Sequence, residues 1–532
     1  MKKGFLWALA VIMLLSVALA GCNSSSSGGE GGGGEGEGDK EQVLIFGRGG
    51  DSVALDPAIV TDGESFKVIK NIYDTLVEYG EQDTSINPGL AKEWTVSDDG
   101  LTYTFKLEEG IKFHNGDDFN ADAVVKNFER WMTSGDAGKF AYYASMFGGF
   151  KGDEGHVIKS VEAKDDYTVV FTLNRPQAPF LKNLAMTPFS IAAPSEFENL
   201  ATEPVGTGPF VFEEWKRKDR ITIVKNEDYW RDGLPKLDKV IFRSIPDNSN
   251  RLNALKTGEI HLMDGVNPSD VAEIEKVEEL QTFFRPSMNV GYLGFNTEME
   301  PFNNKKVRQA LNHAVDKEAL IKAFYSGQAE PAKNPLPPVI DGYNDEIEPY
   351  EFDLEKAKKM LAEAGYPDGF KTELWAMPVP RPYMPDGKKI AEAIASNFEK
   401  IGVDVEIVTY EWATYLEKTQ AGESPMFLLG WTGDNGDADN FLYTLLDKDN
   451  IGSNNYSRYA NDELHKILIE AQSTPDKEKR AELYKKAQVI IHEDAPWVPL
   501  VHSEPALAGR ADLKGFKPHP TGSDKLTNVY FE

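Results

Sequence analysis

The feature that most constrains this chain is a strand–helix–strand pattern between Lys371 and Ile407. Lys371 to Ala376 alternate as a strand. Ile390, Ile394, Phe398 and Ile401 then recur at helical spacing and stop at Gly402, where a helix-terminating glycine belongs, and Val403, Val405 and Ile407 alternate again. Such a βαβ unit commits the fold to a sheet that is at least partly parallel. A further apolar run, Met426-Phe427-Leu428-Leu429, is too short for a helix and reads as a buried strand.

Two of these strands feed loops of unusual chemistry. Met377-Pro378-Val379-Pro380-Arg381-Pro382-Tyr383 follows one, and the acidic, glycine-punctuated Gly430-Trp431-Thr432-Gly433-Asp434-Asn435-Gly436-Asp437-Ala438-Asp439-Asn440 follows the other. Open α/β sheets bind small molecules just past the carboxyl ends of their strands, and parallel strands bring those ends to one edge. Arg381 and Asp434 are therefore the leading ligand residues, a cation and an anion facing one cleft if their strands run parallel. The glycines are read as letting a ligand approach the backbone closely. Pattern alone leaves open that Arg381 is a surface-loop arginine and the acidic loop a solvated turn.

A chain of 532 residues exceeds what one core can hold and should split into two or three domains. With 57 basic against 86 acidic residues, the net charge of −29 argues against nucleic acid and against direct docking on anionic lipid.

Lys2 and Lys3 precede the apolar run Phe5 to Ala20, which is too short for a comfortable membrane span and reads as an export signal over residues 1–21. It ends in Leu19-Ala20-Gly21-Cys22. Small residues before a cysteine resemble the bacterial lipobox, which implies cleavage before Cys22 and a diacylglyceryl anchor on its thiol. Cys22 is the chain's only cysteine and has no disulfide partner. Residues 22–42 are Ser, Gly and Glu with almost nothing to bury, and about 20 such residues span on the order of 25 Å as a coil. They are expected to tether a soluble body to the outer face of the cytoplasmic membrane, in a Gram-positive-like arrangement.

The folded part opens with the short strand Val43-Leu44-Ile45-Phe46, the loop Gly47 to Asp62, and a helix whose face would be Phe66, Ile69, Tyr73 and Leu76. Thr61, Asp62 and Gly63 sit at that helix start, where free backbone N–H groups suit either a cap or a polar ligand group. From Leu90 the character changes to antiparallel β. Leu101, Tyr103, Phe105 and Leu107 alternate after an Asp99-Gly100 turn, and Tyr167 to Leu173 make a second such strand.

Several motifs then carry a resemblance. Gly89-Leu90-Ala91-Lys92-Glu93-Trp94, Ser97-Asp98-Asp99-Gly100-Leu101-Thr102-Tyr103-Thr104-Phe105, Phe113-His114-Asn115-Gly116 and Pro204-Val205-Gly206-Thr207-Gly208-Pro209-Phe210 resemble the family 5 extracellular solute-binding proteins of bacterial ABC importers. So do Arg251 to Glu259, and Asn289-Val290-Gly291-Tyr292-Leu293-Gly294-Phe295-Asn296 leading into Val307 to Leu311. The resemblance covers nearly everything after the tether. It implies a binding protein without catalysis or cofactor, working as a monomer with permease subunits. The implied fold is α/β, periplasmic-binding-protein-like, with two lobes, an inserted domain and two hinge crossovers, near Ser287 to Asn289 and Val498 to Val501. The expected divisions are a first lobe at 43–76, 204–288 and 500–532, an inserted domain at 77–203, and a further lobe at 289–499.

The Arg381 and Asp434 loops look most like the dipeptide-binding subgroup. That likeness implies that Arg381, with Tyr383 beside it, takes the peptide carboxylate and that Asp434 takes the ammonium. Ala438 stands where the subgroup usually has proline, and Asp62 where its members carry small polar residues. A dipeptide is a zwitterion whose charges lie about 7 Å apart, two residues at roughly 3.3–3.6 Å each. Burying either end unpaired costs several kcal/mol, so one anion and one cation suit it, and a longer peptide strands one terminus. The planar guanidinium of Arg381 suits a carboxylate because it can donate two parallel hydrogen bonds. Tyr383 and the backbone at Gly430, Thr432 and Gly433 would fix the ligand amide; Trp431 either covers the ligand or belongs to the core, and Thr61 and Gly63 would close the cleft.

Other functions find less support. His492-Glu493-Asp494 lacks the second histidine of a zinc peptidase. A calcium loop started at Asp437 puts Leu442 where glycine belongs and Lys448 where glutamate belongs. A serine-hydrolase elbow is missing. Within the binding class, relatives carry glutathione, longer oligopeptides, haem or nickel complexes, and neither cleft loop holds the histidine that haem or nickel would favour. A lipoprotein that senses peptides or adheres without transport is the alternative outside the class.

Overall fold

The apolar run Val43 to Phe46 forms the strand Val43–Arg48, which sits at the centre of a seven-stranded mixed sheet with Leu44 and Phe46 fully buried. Its two neighbours, Lys239–Ser244 and Leu262–Met263, run parallel to it. Outward from these, Arg220–Lys225 and Phe210–Lys216 extend one side, and Ala506–Arg510 and Leu280–Phe284 the other, all antiparallel. The computed structural model describes residues 41–532, which form one compact unit. The export signal, Cys22 and nearly all of the tether lie outside the described residues. Among those described, no helix is long and apolar enough to cross a membrane.

A second, six-stranded sheet holds the pattern from which the fold class was read. Phe370–Trp375 and Val403–Val408 pair in parallel, joined by the helix Gly387–Lys400, whose Ile390, Ile394 and Phe398 are buried. Met426–Thr432 lies on the other side of Phe370–Trp375 and is also parallel to it, so the two loops leave the same sheet edge. Asn289–Phe295, Trp497–Ser503 and Ala329–Pro331 complete the sheet in antiparallel fashion. A third sheet of four antiparallel strands, Ala91–Val96, Thr102–Leu107, Thr168–Leu173 and Ile158–Asp165, packs with the helix Ala121–Met132 around its own aromatic core.

Two expectations are corrected. The first helix is only Gly63–Ile69, because the backbone beyond Lys70 is taken by another segment: Gly208 N–H bonds the Ile72 carbonyl and Phe210 N–H that of Asn71. Tyr73 and Leu76 are buried all the same, outside any helix. Asp62 caps this helix, accepting from Ser65 N–H at 2.8 Å. The second crossover lies later than 498–501, since Trp497–Ser503 stays in the second sheet and Ala506–Arg510 begins in the first, leaving Glu504 and Pro505 as the link. The other link is residues 285–288. The two are clipped together where Asn289 Nδ2 donates to Ser503 O at 2.9 Å and Ser503 N–H donates to Asn289 Oδ1 at 3.0 Å.

Candidate functional site

Three aspartates crowd the acidic loop, and their partners separate them. Asp437 is fully committed to Arg480, whose Nη1 and Nη2 donate to its two oxygens at 2.7 Å each. Burial alone would raise it, yet that guanidinium holds Asp437 at about 2. Asp439 opens the helix Asp439–Leu446; burial and the neighbouring Asp437 charge push it up to about 7. Asp434 has hydrogen bonds but, among the described residues, no cation. Tyr142 Oη donates to its Oδ1 at 3.1 Å and Asn440 Nδ2 to its Oδ2 at 3.2 Å. Burial raises the Asp434 carboxyl, and those two donors pull it back only in part. Asn440 is the organiser here, because its Oδ1 also accepts from Asp434 N–H and from Trp431 Nε1.

The cationic loop is built differently. Arg381 and Met384 exchange backbone hydrogen bonds at 3.0 and 2.9 Å, closing a tight turn with the Arg381 side chain exposed. Its Nη1 donates to its neighbour Pro380 O, and its guanidinium carbon lies 5.9 Å from the Trp412 ring centre. Among the described residues no carboxylate pairs with it. Tyr383 is buried below; burial lifts its phenol, and Arg381 beside it draws it back. Tyr325 Oη donates to Tyr383 O at 2.9 Å and fixes the loop from beneath.

Arg381 and Asp434 line one cavity of about 900 Å³. Tyr383, Thr61, Gly63, Gly430, Trp431, Thr432 and Gly433 line it as well, whereas Asp62, which caps the first helix, does not. The glycines, however, answer to protein atoms. A Cβ on Gly430 would stand 2.2 Å from the Tyr383 ring, one on Gly433 2.6 Å from Phe441, and Gly436, at φ +65°, would meet Thr84 at 2.2 Å. Close packing, and not ligand approach, therefore accounts for these three.

The opposite wall was missed. It comprises Phe66 from the first helix and Lys70 just after it, Glu78 and Tyr79, Tyr142 from the inserted segment, Arg231, and a late stretch around Lys517 to Asn528. Nothing in a local pattern points to it, because its segments are distant in sequence. His519 also lines the cavity, although neither of the two ligand loops holds a histidine. Both its nitrogens are engaged, Nδ1 with Thr521 Oγ1 at 2.7 Å and Nε2 with Asp83 O at 3.0 Å, and burial, then Lys70, depress it to about 4. It is a neutral ring stacked on Tyr79 at 5.6 Å.

The acidic loop also joins the two walls. Besides the Tyr142–Asp434 bond, Asn435 Nδ2 donates to Asn183 Oδ1 at 2.7 Å, and Lys182 Nζ and Thr84 Oγ1 both donate to Gly436 O, at 2.6 and 3.2 Å. Outside this region, Asp447, Asp449 and His465 bring three potential metal-ligating atoms together, but His465 Nδ1 is already 3.1 Å from Asp447.

Comparison with known proteins bears on the family and the fold. The family model described as bacterial extracellular solute-binding proteins, family 5, matches residues 85–453. The chain is 43% identical over 500 residues to Heme-binding protein A of Haemophilus influenzae, covering 90% of each, and 38% identical over 514 residues to the Dipeptide-binding protein of Escherichia coli, covering 92% of this chain and 95% of that one. Among solved structures, the periplasmic binding protein DppA of Helicobacter pylori in complex with the peptide STSA superposes with a TM-score of 0.76 at 42% identity, over 92% of this chain and 98% of that one.

Proposed function

The chain belongs to the bacterial extracellular solute-binding proteins of family 5, and from that premise we propose that its ligand is a dipeptide clamped by its two charged ends. Its membership makes it an extracytoplasmic binding protein of an ABC importer and not an enzyme. Asp434 receives the ammonium and Arg381 the carboxylate, with Tyr383 and the strand-end backbone holding the amide between them. The observation that carries this reading is the pair of opposite charges, each without an ionic partner among the described residues, on the wall of one cavity. A half-buried aspartate whose carboxyl is raised by desolvation gains from a cation, because pairing restores the charged state that burial disfavours. The room beyond a dipeptide backbone takes water and variable side chains, which suits a receptor of broad tolerance.

The two sheets close on the ligand about the links 285–288 and 504–505, and the closed form is what the permease subunits engage. Export, acylation of Cys22 and tethering by residues 22–42 hold this body at the outer face of the membrane.

Haem is the second reading, raised by the likeness to Heme-binding protein A. Against it, the cavity histidine His519 has no nitrogen left for iron. Calorimetry of protein stripped of ligand by unfolding and refolding separates the readings. A free dipeptide should bind, while its N-acetyl and C-amide forms and the matched tripeptide should bind far more weakly. Equal binding of blocked and free forms would rule out the clamp, and a hemin Soret shift without dipeptide binding would favour haem.

A further inference from the structure

Lys70 follows the first helix at its carboxyl end and is 9% exposed, yet its ammonium has no hydrogen bond or ion pair among the described residues. It borders the same cavity as Asp434. The acids around it are spent elsewhere. Glu78 is shared between Arg231, at 2.8 Å, and Lys525. Asp74 accepts from Thr207 Oγ1 at 3.0 Å, Trp230 Nε1 at 3.1 Å and Tyr229 Oη at 3.4 Å. Glu81 is paired with Lys517. Three cations, Lys70, Lys525 and Arg231, thus face two anions, Glu78 and Asp74, and the surplus charge is the unpaired one. Burial, then Lys525, depresses the Lys70 ammonium to about 8. A buried ammonium without an acceptor is costly, and burial this deep in a cavity wall leaves the cavity as the place from which an acceptor can come.

We propose that Lys70 anchors an anion subsite in the peptide cavity, so that the protein favours dipeptides carrying a second carboxylate on an acidic side chain. The proposal rests on the dipeptide reading given above. Asp434 and Arg381 satisfy the two termini that every dipeptide has, and neither can serve a third charge. Lys70 supplies the missing pole, and Ser523 and Thr527 line the same cavity. The Tyr79 phenol feels the Asp434 charge, and the His519 ring stacked on Tyr79 feels that of Lys70; all four line one cavity, so the subsite adjoins the clamp.

The test is a calorimetric panel of Ala-Ala, Glu-Ala, Gln-Ala, Ala-Glu and Ala-Gln on wild type and on Lys70→Met. In wild type at least one glutamate dipeptide should bind about tenfold tighter than its glutamine isostere, a factor that corresponds to about 1.4 kcal/mol. In Lys70→Met that preference should vanish while Ala-Ala affinity stays within about twofold, which also shows that the variant folds; Lys70→Gln replaces it if it does not. No glutamate preference in wild type, or one that survives both substitutions, overturns the subsite. Failure of Ala-Ala to bind wild type overturns instead the clamp on which it rests. Hemin binding that needs Lys70, with acidic and neutral dipeptides binding alike, would assign the carboxylate to a haem propionate and overturn the peptide assignment.

Discussion

Asp434 and Arg381 should fail in different ways when replaced, because their surroundings differ. Asp434 is half-buried and held by Tyr142 and Asn440 in the cavity wall, so Asp434→Asn leaves the ligand ammonium without its anion and should weaken dipeptide binding by about 100-fold, about 3 kcal/mol. Arg381 is exposed, and Arg381→Ala should cost less, about tenfold, and should abolish the discrimination against a C-terminal amide. Calorimetry on both variants measures the two losses. Asp439 makes a prediction about stability. Its carboxyl is raised from the ordinary value of 3.8 to about 7 by burial and by Asp437, so the folded state holds a proton that the unfolded chain releases in that interval. Folding is therefore penalised progressively as pH rises from about 4 to about 7, and fully above it. Asp439→Asn should match wild type near pH 4 and exceed it at pH 8 by about 1–3 kcal/mol in denaturant unfolding.

At the scale of elements, the acidic loop is both ligand wall and seam. Gly436 is its pivot: its carbonyl receives Lys182 and Thr84 from the other wall, and its φ of +65° excludes a side chain at low cost. Gly436→Ala should lose about 1–2 kcal/mol of stability and, in addition, at least tenfold in affinity. Gly452→Ala is the control, with a similar φ of +82° and open space around it, and should lose stability alone. The same element shows what a sequence can disclose. Met426–Leu429 announces a buried strand through composition, and Gly402 announces a helix end, because each signal is local. Both lie where the pattern puts them, and Arg381 and Asp434 share an edge because their strands are parallel. The helical reading extends past Lys70 because burial of Tyr73 and Leu76 mimics helical spacing, while the carbonyls of Asn71, Ile72, Thr75 and Leu76 accept from residues far away, at 208–210 and at 90–91. Tyr142 and Lys70 were invisible as cavity residues for the same reason. No spacing rule relates Tyr142 to a loop 292 residues later, although the oxygens are 3.1 Å apart.

For the whole molecule, the links at 285–288 and 504–505 are the narrow passages between the two large sheets, clipped side by side through Asn289 and Ser503. A ligand that bridges the walls should shift the population toward the compact form. Small-angle scattering should give a smaller radius of gyration with dipeptide than without, and thermal unfolding should move up by several degrees at saturating ligand, since only the folded protein binds it. An unchanged radius on saturation would mean that the cavity fills without closure. The second strand of the large mixed sheet, Ala506–Arg510, has a further consequence. It lies between Leu280–Phe284 and Leu262–Met263, bonded to both, although more than two hundred residues separate it from them in sequence. During synthesis the sheet that begins at Val43 therefore stays open on one side until residue 510 has emerged. For a protein that works outside the cytoplasm, the topology of its first sheet is thus completed only after almost the whole chain has been made.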